Sequence, residues 1–365
     1  MTNRYNDGLR ISVEAQVMIR TTQRPPSARC TLPMYIGFLM SEPKSASCNR
    51  LSKVMGISHD SVNRFLLRES YEPKDLFNEA QLTLNRVGGT VSVDDSVLDK
   101  PYSIHVERVS YFWSGKHHRT VKGLNLITLY YTDLQGQHLP VNYRVYDTTA
   151  GKTKNDYFLE MLAEVLQWGL KPAFVTADSW YSCVTNLNKV KNHRMGFMFA
   201  VESNRLVSTQ KGEWIQVQKI EIPDEGMVVW LKNFGQVKLF RTQLKNQLRH
   251  FIVYLTDSTQ WFTFNRKAFV YQHNSHWKIE QYHRVIKPVC NIESFQVRGK
   301  VPILNHVFAA LCAYIHWQRL CVTEVISHVY HLQPDLFKEV IASFIKAFIL
   351  DKDYLNPKFR AVVNA

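Results

Sequence analysis

The run "GGTVSVDDSV" (88–97) constrains the fold most tightly. Two glycines break the chain, and Val91 and Val93 then alternate with small polar residues, the period of a β-strand. Two neighbouring acids, Asp94 and Asp95, lie on that strand. "VKGLNLITLYY" (121–131) reads as a second strand, "TDLQGQ" as a turn and "LPVNYRVYD" (139–147) as a third strand. Strands joined this way predict an antiparallel meander. "NDYFLEMLAEVLQWGLKP" (155–172) has the spacing of an amphipathic helix, with Asn155 as the expected N-cap and Gly169 and Pro172 as the stop. "AFVTAD" (173–178) is a short buried strand ending on Asp178. "YSCVTNLNKVKNH" follows as a helix, and "GFMFAVES" (196–203) as another strand. The order β-β-β-α-β-α-β predicts an α/β fold, a mixed sheet with helices on both faces.

Residues 204–262 change in texture. "GEWIQVQKI", "GMVVWLKNF", "GQVKLFRTQL" and "RHFIVYLTD" are strand-like pieces between turn signals, which predicts a small β insertion. Helical patterns return near 264, through "HWKIEQYHRVIK" (276–287), "LNHVFAALCAYIHWQRL" (304–320) and "PDLFKEVIASFIKAFIL" (334–350). At the other end, residues 1–44 read as irregular. "CNRLSKVMGISHDSVNRFLL" (48–67) has the order of a helix-turn-helix: Leu51 and Met55 on one face, Gly56 at the turn, Ile57, Val62 and Phe65 beyond. "SHD" at 58–60 is placed to cap the second helix, and Asn63 and Arg64 on that helix are the candidate DNA contacts. An ordinary helical hairpin fits the same pattern. The expected division is 1–86, an N-terminal helical region; 87–203, the first part of the core; 204–262, the insertion; 263–330, the second part of the core; and 331–365, a C-terminal helical region.

Lys plus Arg total 45 against 31 acidic residues, a net charge of +14. Such a balance points to a polyanionic partner, nucleic acid above all. No apolar run reaches the roughly 18 residues of a membrane span, and "MTNRYNDGLRISVEAQ" lacks the apolar core of a signal peptide. Six scattered cysteines without a CxxC pair read as reduced thiols in a cytosolic protein.

Placed on a helix, His273, His276, Glu280, His283 and Lys287 fall within a sector of roughly 80°. Ile279, Tyr282 and Ile286 form the neighbouring apolar stripe. The bland alternative is a solvated helix face. A zinc site is the other, but H-x2-H-x6-H fits no usual zinc spacing, and no Cys pair completes it. Two further acids favour a different chemistry. Asp95 lies on the first predicted strand and Asp178 ends the fourth, and a fold of this order allows those strands to be neighbours. Three carboxylates at one place repel each other unless cations sit between them, and hard oxygen donors favour Mg2+ or Mn2+. "GKHHRTVKG" (115–123) adds a basic loop, with Lys116, Arg119 and Lys122 as candidate phosphate contacts; a solvated loop fits equally well. Trp214, Trp230 and Trp261 in or beside the insertion read as core, and Cys183 as an ordinary thiol without an adjacent histidine.

The pieces "VDDSVLDKPY", "VKGLNL", "TADSWYS", "VESNRL" and "WKIEQYHRVIK" occur in this order. Together they resemble a DDE transposase of the insertion-sequence type, in the branch with a β-domain inserted before the glutamate and a Tyr-Arg-Glu-Lys signature. The resemblance runs from about residue 87 to 320 and implies an RNase H-like catalytic domain. It implies catalytic, metal-ligating roles for Asp95, Asp178 and Glu280, with Asp94 as the alternative to Asp95. Lys287 matches the signature Lys, near a phosphate. His273 and His276 stand where the signature has Tyr and Arg, and are the remaining candidate DNA contacts. The family's chemistry implies two Mg2+ ions (Mn2+ possible) at these acids. It further implies cut-and-paste transposition: cleavage at the element's terminal inverted repeats, joining to target DNA, and a homodimer on paired ends. The expected setting is the bacterial cytoplasm, with no membrane partner. A transposase-derived DNA-binding protein without catalysis, and another RNase H-like nuclease, are the rival readings.

Overall fold

The computed structural model describes residues 29–322, except 43–45, 116, 211, 245, 246 and 258. The helix expected at 334–350 and the side chain of Lys116 lie outside the described residues. Four helices come first: α1 (Leu32–Ser41), α2 (Cys48–Met55), α3 (His59–Arg68) and α4 (Pro73–Ala80). The presence of α1 corrects the expectation of irregular chain up to 44. Thr31 caps it and Pro33 stands in its first turn, where a missing N–H costs nothing. Between α2 and α3, Gly56 takes the left-handed conformation at φ 63°, and Ser47 and Ser58 cap the two helices. Leu51, Val62 and Phe65 are buried, as a helix-turn-helix and an ordinary helical hairpin both require.

The chain then enters the sheet as β1 (Thr90–Asp99), β2 (Ser110–Ser114), β3 (Arg119–Thr132) and β4 (His138–Val145). Helix α5 (Lys154–Gln167) follows, then β5 (Phe174–Ala177), α6 (Val184–Asn192) and β6 (Gly196–Val201). Helix α5 starts earlier than expected. Its N-cap is Thr153, not Asn155, because Thr153 and Asp156 cap each other's backbone N–H reciprocally. Strand β3 runs antiparallel to β1 on one side, and β5 runs parallel to it on the other. Strand β4 pairs with β3, and β6 runs parallel beside β5. The result, β4-β3-β1-β5-β6, is the RNase H-like mixed sheet. The short β2, absent from the sequence reading, pairs with the start of β3.

The insertion carries β7 (Leu206–Ser208), β8 (Ile215–Gln216), β9 (Met227–Leu231), β10 (Gly235–Leu244) and β11 (Gln247–Tyr254). Strand β11 pairs antiparallel with β6 from His250↔Val201 to Tyr254↔Phe197. The insertion therefore prolongs the core sheet rather than standing apart from it. A short α7 (Gln260–Thr263) leads into the long α8 (Arg266–Ile286), and α9 (Lys300–Val322) closes the described chain. Helix α9 is buried on almost every side, as an apolar core helix must be. Two buried amides tie the N-terminal helices to it and to the turn before it. Asn291 donates to the carbonyls of Leu39 and Glu42 at 2.9 and 2.8 Å, and Asn305 to those of Leu66 and Glu69 at 2.7 and 2.6 Å. Each amide thus satisfies carbonyls that a helix end leaves open.

Strand β1 starts under a tight backbone crossing. A Cβ on Gly89 would press into the Thr132 carbonyl and the Tyr131 hydroxyl, whereas one on Gly115 would meet nothing within 4 Å. Gly89→Ala is expected to lower stability by about 1–3 kcal/mol through overpacking, seen as a lower urea midpoint. Gly115→Ala should leave the midpoint unchanged.

Candidate active site

The parallel register of β1 and β5 decides which side chains meet. Ser92 pairs with Thr176 and Val93 with Ala177, so Asp94 and Asp178 are next in line at the same level. Partners in a parallel pair point to the same face, and neighbours along a strand to opposite faces. The even-numbered side chains face α8. Ser92 Oγ lies 2.7 Å from Thr176 Oγ1, which in turn lies 3.2 Å from His276 Nδ1 on that helix. Two turns further along, His283 Nδ1 lies 3.4 Å from Asp94 Oδ2. Glu280 stands between these two histidines on the same helical face. Ile279, Tyr282 and Ile286, the apolar stripe read from the sequence, are fully buried beside it.

Asp95 points the other way. Its carboxylate is met by Lys154 Nζ at 2.7 Å, by Asn125 Nδ2 at 2.5 Å and by the Tyr181 hydroxyl at 3.3 Å. Of the two adjacent acids, Asp94 shares a face with Asp178 and Glu280, and Asp95 does not.

Both adjacent acids act on Asp178 through their charge. Burial, then the charges of Glu280 and Asp95, hold the Asp94 carboxyl well above the ordinary carboxylate range. Burial, then Asp94 and Asp95, push Asp178 up to about 8, although its Oδ1 accepts the Trp180 N–H at 3.0 Å. Burial also presses His276 and His283 down to about 4, which keeps both rings neutral at pH 7. The donors are of the type that suits a hard divalent cation. They converge without closing: among the described residues, no three His, Cys, Asp or Glu side chains form a chelating group. Beside them opens a cleft of about 430 Å³. Asp178 and Glu280 share its lining with Arg249, His250 and Phe251 of β11 and with Trp277 of α8.

Residues 90–315 match the family model of the transposase DDE domain. The chain belongs to that family. It is a DNA transposase of the DDE type, and its fold is similar to that of the piggyBac transposase in a synaptic complex with hairpin DNA. That likeness has a TM-score of 0.51 at 12% identity, over 96% of this chain and 80% of the other. The Drosophila P element transposase, in its strand transfer complex, overlaps with a TM-score of 0.29 at 9% identity, over 59% of this chain and 54% of that one. An overlap that low adds nothing to the argument. No curated protein sequence matches the transposase significantly.

Of the other residues singled out in the sequence, His273 and His276 line the same cleft, and the rest lie elsewhere on the transposase. Lys287 is engaged by protein, its Nζ 2.6 Å from the Val97 carbonyl and 3.0 Å from Glu293. His273 packs its ring against Phe251 and Phe269. His276 is held at Thr176 as a neutral ring, without the charge of the arginine it replaces in the signature. Lys122 donates to the Ser103 carbonyl, and Arg119 is exposed at the start of β3. On α3, Asn63 contacts the His59 ring, and Arg64 is exposed. The sequence reading missed Lys154, Asn125 and Tyr181, the partners of Asp95. The advance signals were "VKGLNL", which holds Asn125, and "TADSWYS", which holds Tyr181 three residues after Asp178. Among the described residues, no helix is long and apolar enough to cross a membrane.

A raised carboxyl has a stability consequence. Between the unfolded value near 3.8 and the folded value of about 8, the folded transposase binds the extra proton at Asp178. Stability from this group is present at low pH and is lost as pH rises through that window. With EDTA present, Asp178→Asn should therefore melt higher than the unsubstituted protein at pH 8. The gap should narrow towards pH 5, as read by thermal denaturation at both pH values.

Proposed function

We propose that Asp94, Asp178 and Glu280 bind two divalent cations, Mg2+ or Mn2+, and that this chain cuts element ends and joins them to target DNA by cut-and-paste chemistry. DDE transposases use divalent metal ions in general. The observation that carries the reading is the parallel register that ends at Val93↔Ala177, one residue before Asp94 and Asp178, with the charge of Glu280 acting on Asp94. It differs from the sequence expectation in one residue, with Asp94 taking the place of Asp95.

Cations held by Asp94, Asp178 and Glu280 would supply positive charge at the reacting phosphodiester. The protein's own groups do the rest. Asp94 and Asp178 would give up the protons that burial, and then the charge of neighbouring acids, holds on them. Helix α8 carries Glu280 to them across the sheet. Arg249 in the cleft, together with the net charge of +14, draws in the phosphate backbone. Helices α2 and α3, through Asn63 and Arg64, are proposed to hold the terminal repeats, with Arg119 and Lys122 as further backbone contacts. A homodimer on paired ends, in the bacterial cytoplasm, completes the proposal.

The substrate for the test is a duplex carrying the inverted repeats that flank the gene. Asp94→Asn, Asp178→Asn and Glu280→Gln should each cut cleavage at least about 1,000-fold, a loss of about 4 kcal/mol of transition-state stabilisation. Mobility-shift binding to the same duplex should stay near the unsubstituted level. Cleavage at ordinary rates in any of the three would defeat the assignment. Cleavage without joining would favour a nuclease, and binding without either would favour a non-catalytic descendant.

A further inference from the structure

We infer that Asp95 is a positioning residue that fixes the direction of the Asp178 carboxylate through Tyr181. This rests on Asp178 being a metal ligand. Asp95 sits on the reverse face of β1, 14% exposed, and its partner Lys154 is 18% exposed. Four elements meet at its carboxylate: β1 itself, β3 through Asn125, the first turn of α5 through Lys154, and the 3-10 turn Ser179–Tyr181 through the Tyr181 hydroxyl.

That turn is where Asp178 is anchored. Asp178 Oδ1 accepts the N–H of Trp180, the residue before Tyr181. Tyr181 is fully buried, and Asn186 Nδ2 donates to its carbonyl at 2.9 Å. The turn is thus pinned at Tyr181 twice, by Asn186 at its carbonyl and by Asp95 at its hydroxyl. Freeing the Tyr181 hydroxyl loosens the segment whose N–H aims Asp178. A carboxylate held away from its productive angle binds a cation less well, as happens when the groups supporting a ligand are removed. Lys154 and the N-terminus of α5 offset the charge of Asp95, so that two adjacent acids on one strand are tolerated.

The test uses the full chain in three variants: Tyr181→Phe, Asp95→Asn and Asp94→Asn. In the metal-free protein, amide hydrogen exchange is read in peptides covering Ser179–Cys183. Tyr181→Phe and Asp95→Asn should speed exchange there roughly tenfold, while peptides from α9 stay unchanged. Mn2+ alone is then titrated and followed by electron paramagnetic resonance. Both variants should weaken Mn2+ binding roughly tenfold, while Asp94→Asn should abolish it. Should Asp95→Asn fail to fold, Tyr181→Phe decides, because it removes a single hydroxyl. Unchanged exchange together with unchanged Mn2+ affinity in Tyr181→Phe would overturn the inference. So would loss of Mn2+ in Asp95→Asn as complete as in Asp94→Asn, which would make Asp95 a ligand. If the unsubstituted protein binds no Mn2+, the metal reading falls, and with it the role of Asp95.

Discussion

Everything at this site depends on the hydrogen-bonded pairing of β1 with β5. The two strands are joined through a hairpin, a third strand and a helix, so their acids are remote in the chain. Parallel pairing sets them level, and the two-residue period of a strand sends Asp94 and Asp178 to one side. A slip of one residue would turn Asp178 away from α8 and bring Asp95 to its side. The register is itself held by burial: Val91, Val93, Val175 and Ala177 are all buried. Packing that has no chemical role therefore fixes the chemistry.

The surroundings of the acids show the opposite priority from the core. Burial raises the carboxyls of Asp94 and Asp178, and neutral histidines stand on the helix above them. Such a cluster is unfavourable until positive charge arrives. The cost falls on a sheet braced on both sides, by α8 on one face and α5 on the other. Stability given up at a functional site and recovered in the surrounding packing is a common division of labour.

Much of this was legible in the sequence, and the parts that were not share a cause. The strand order was readable because each strand has its own period and its own turn signals. The α2–α3 pair was readable because Gly56 and Ser58 act on their immediate neighbours. Helix α1, "LPMYIGFLMS", is apolar all round and shows no amphipathic period; only burial against α9 explains it. Strand β2 turns only Phe112 and Ser114 inward, too short a signal to stand out. What sets Asp95 apart from Asp94 in the fold is its bonding to Lys154 and Tyr181, which lie dozens of residues away. Both faces of β1 are covered, so alternation separated the two acids without saying which face held the site. The charge state of His276 was hidden for the same reason, since it is set by how deeply α8 sits on the sheet.

The seam between β6 and β11 limits how this molecule can move. An insertion joined by loops alone could swing open like a lid on a hinge. Here it shares a continuous hydrogen-bond ladder with the catalytic sheet, so lifting it means shearing a ladder from His250↔Val201 to Tyr254↔Phe197. The wall of the cleft formed by Arg249, His250 and Phe251 is accordingly rigid masonry. Under the proposed function, a strand of nucleic acid in the cleft would follow that wall, and adjustment on entry would fall to the incoming polymer and to side chains rather than to the backbone of the insertion.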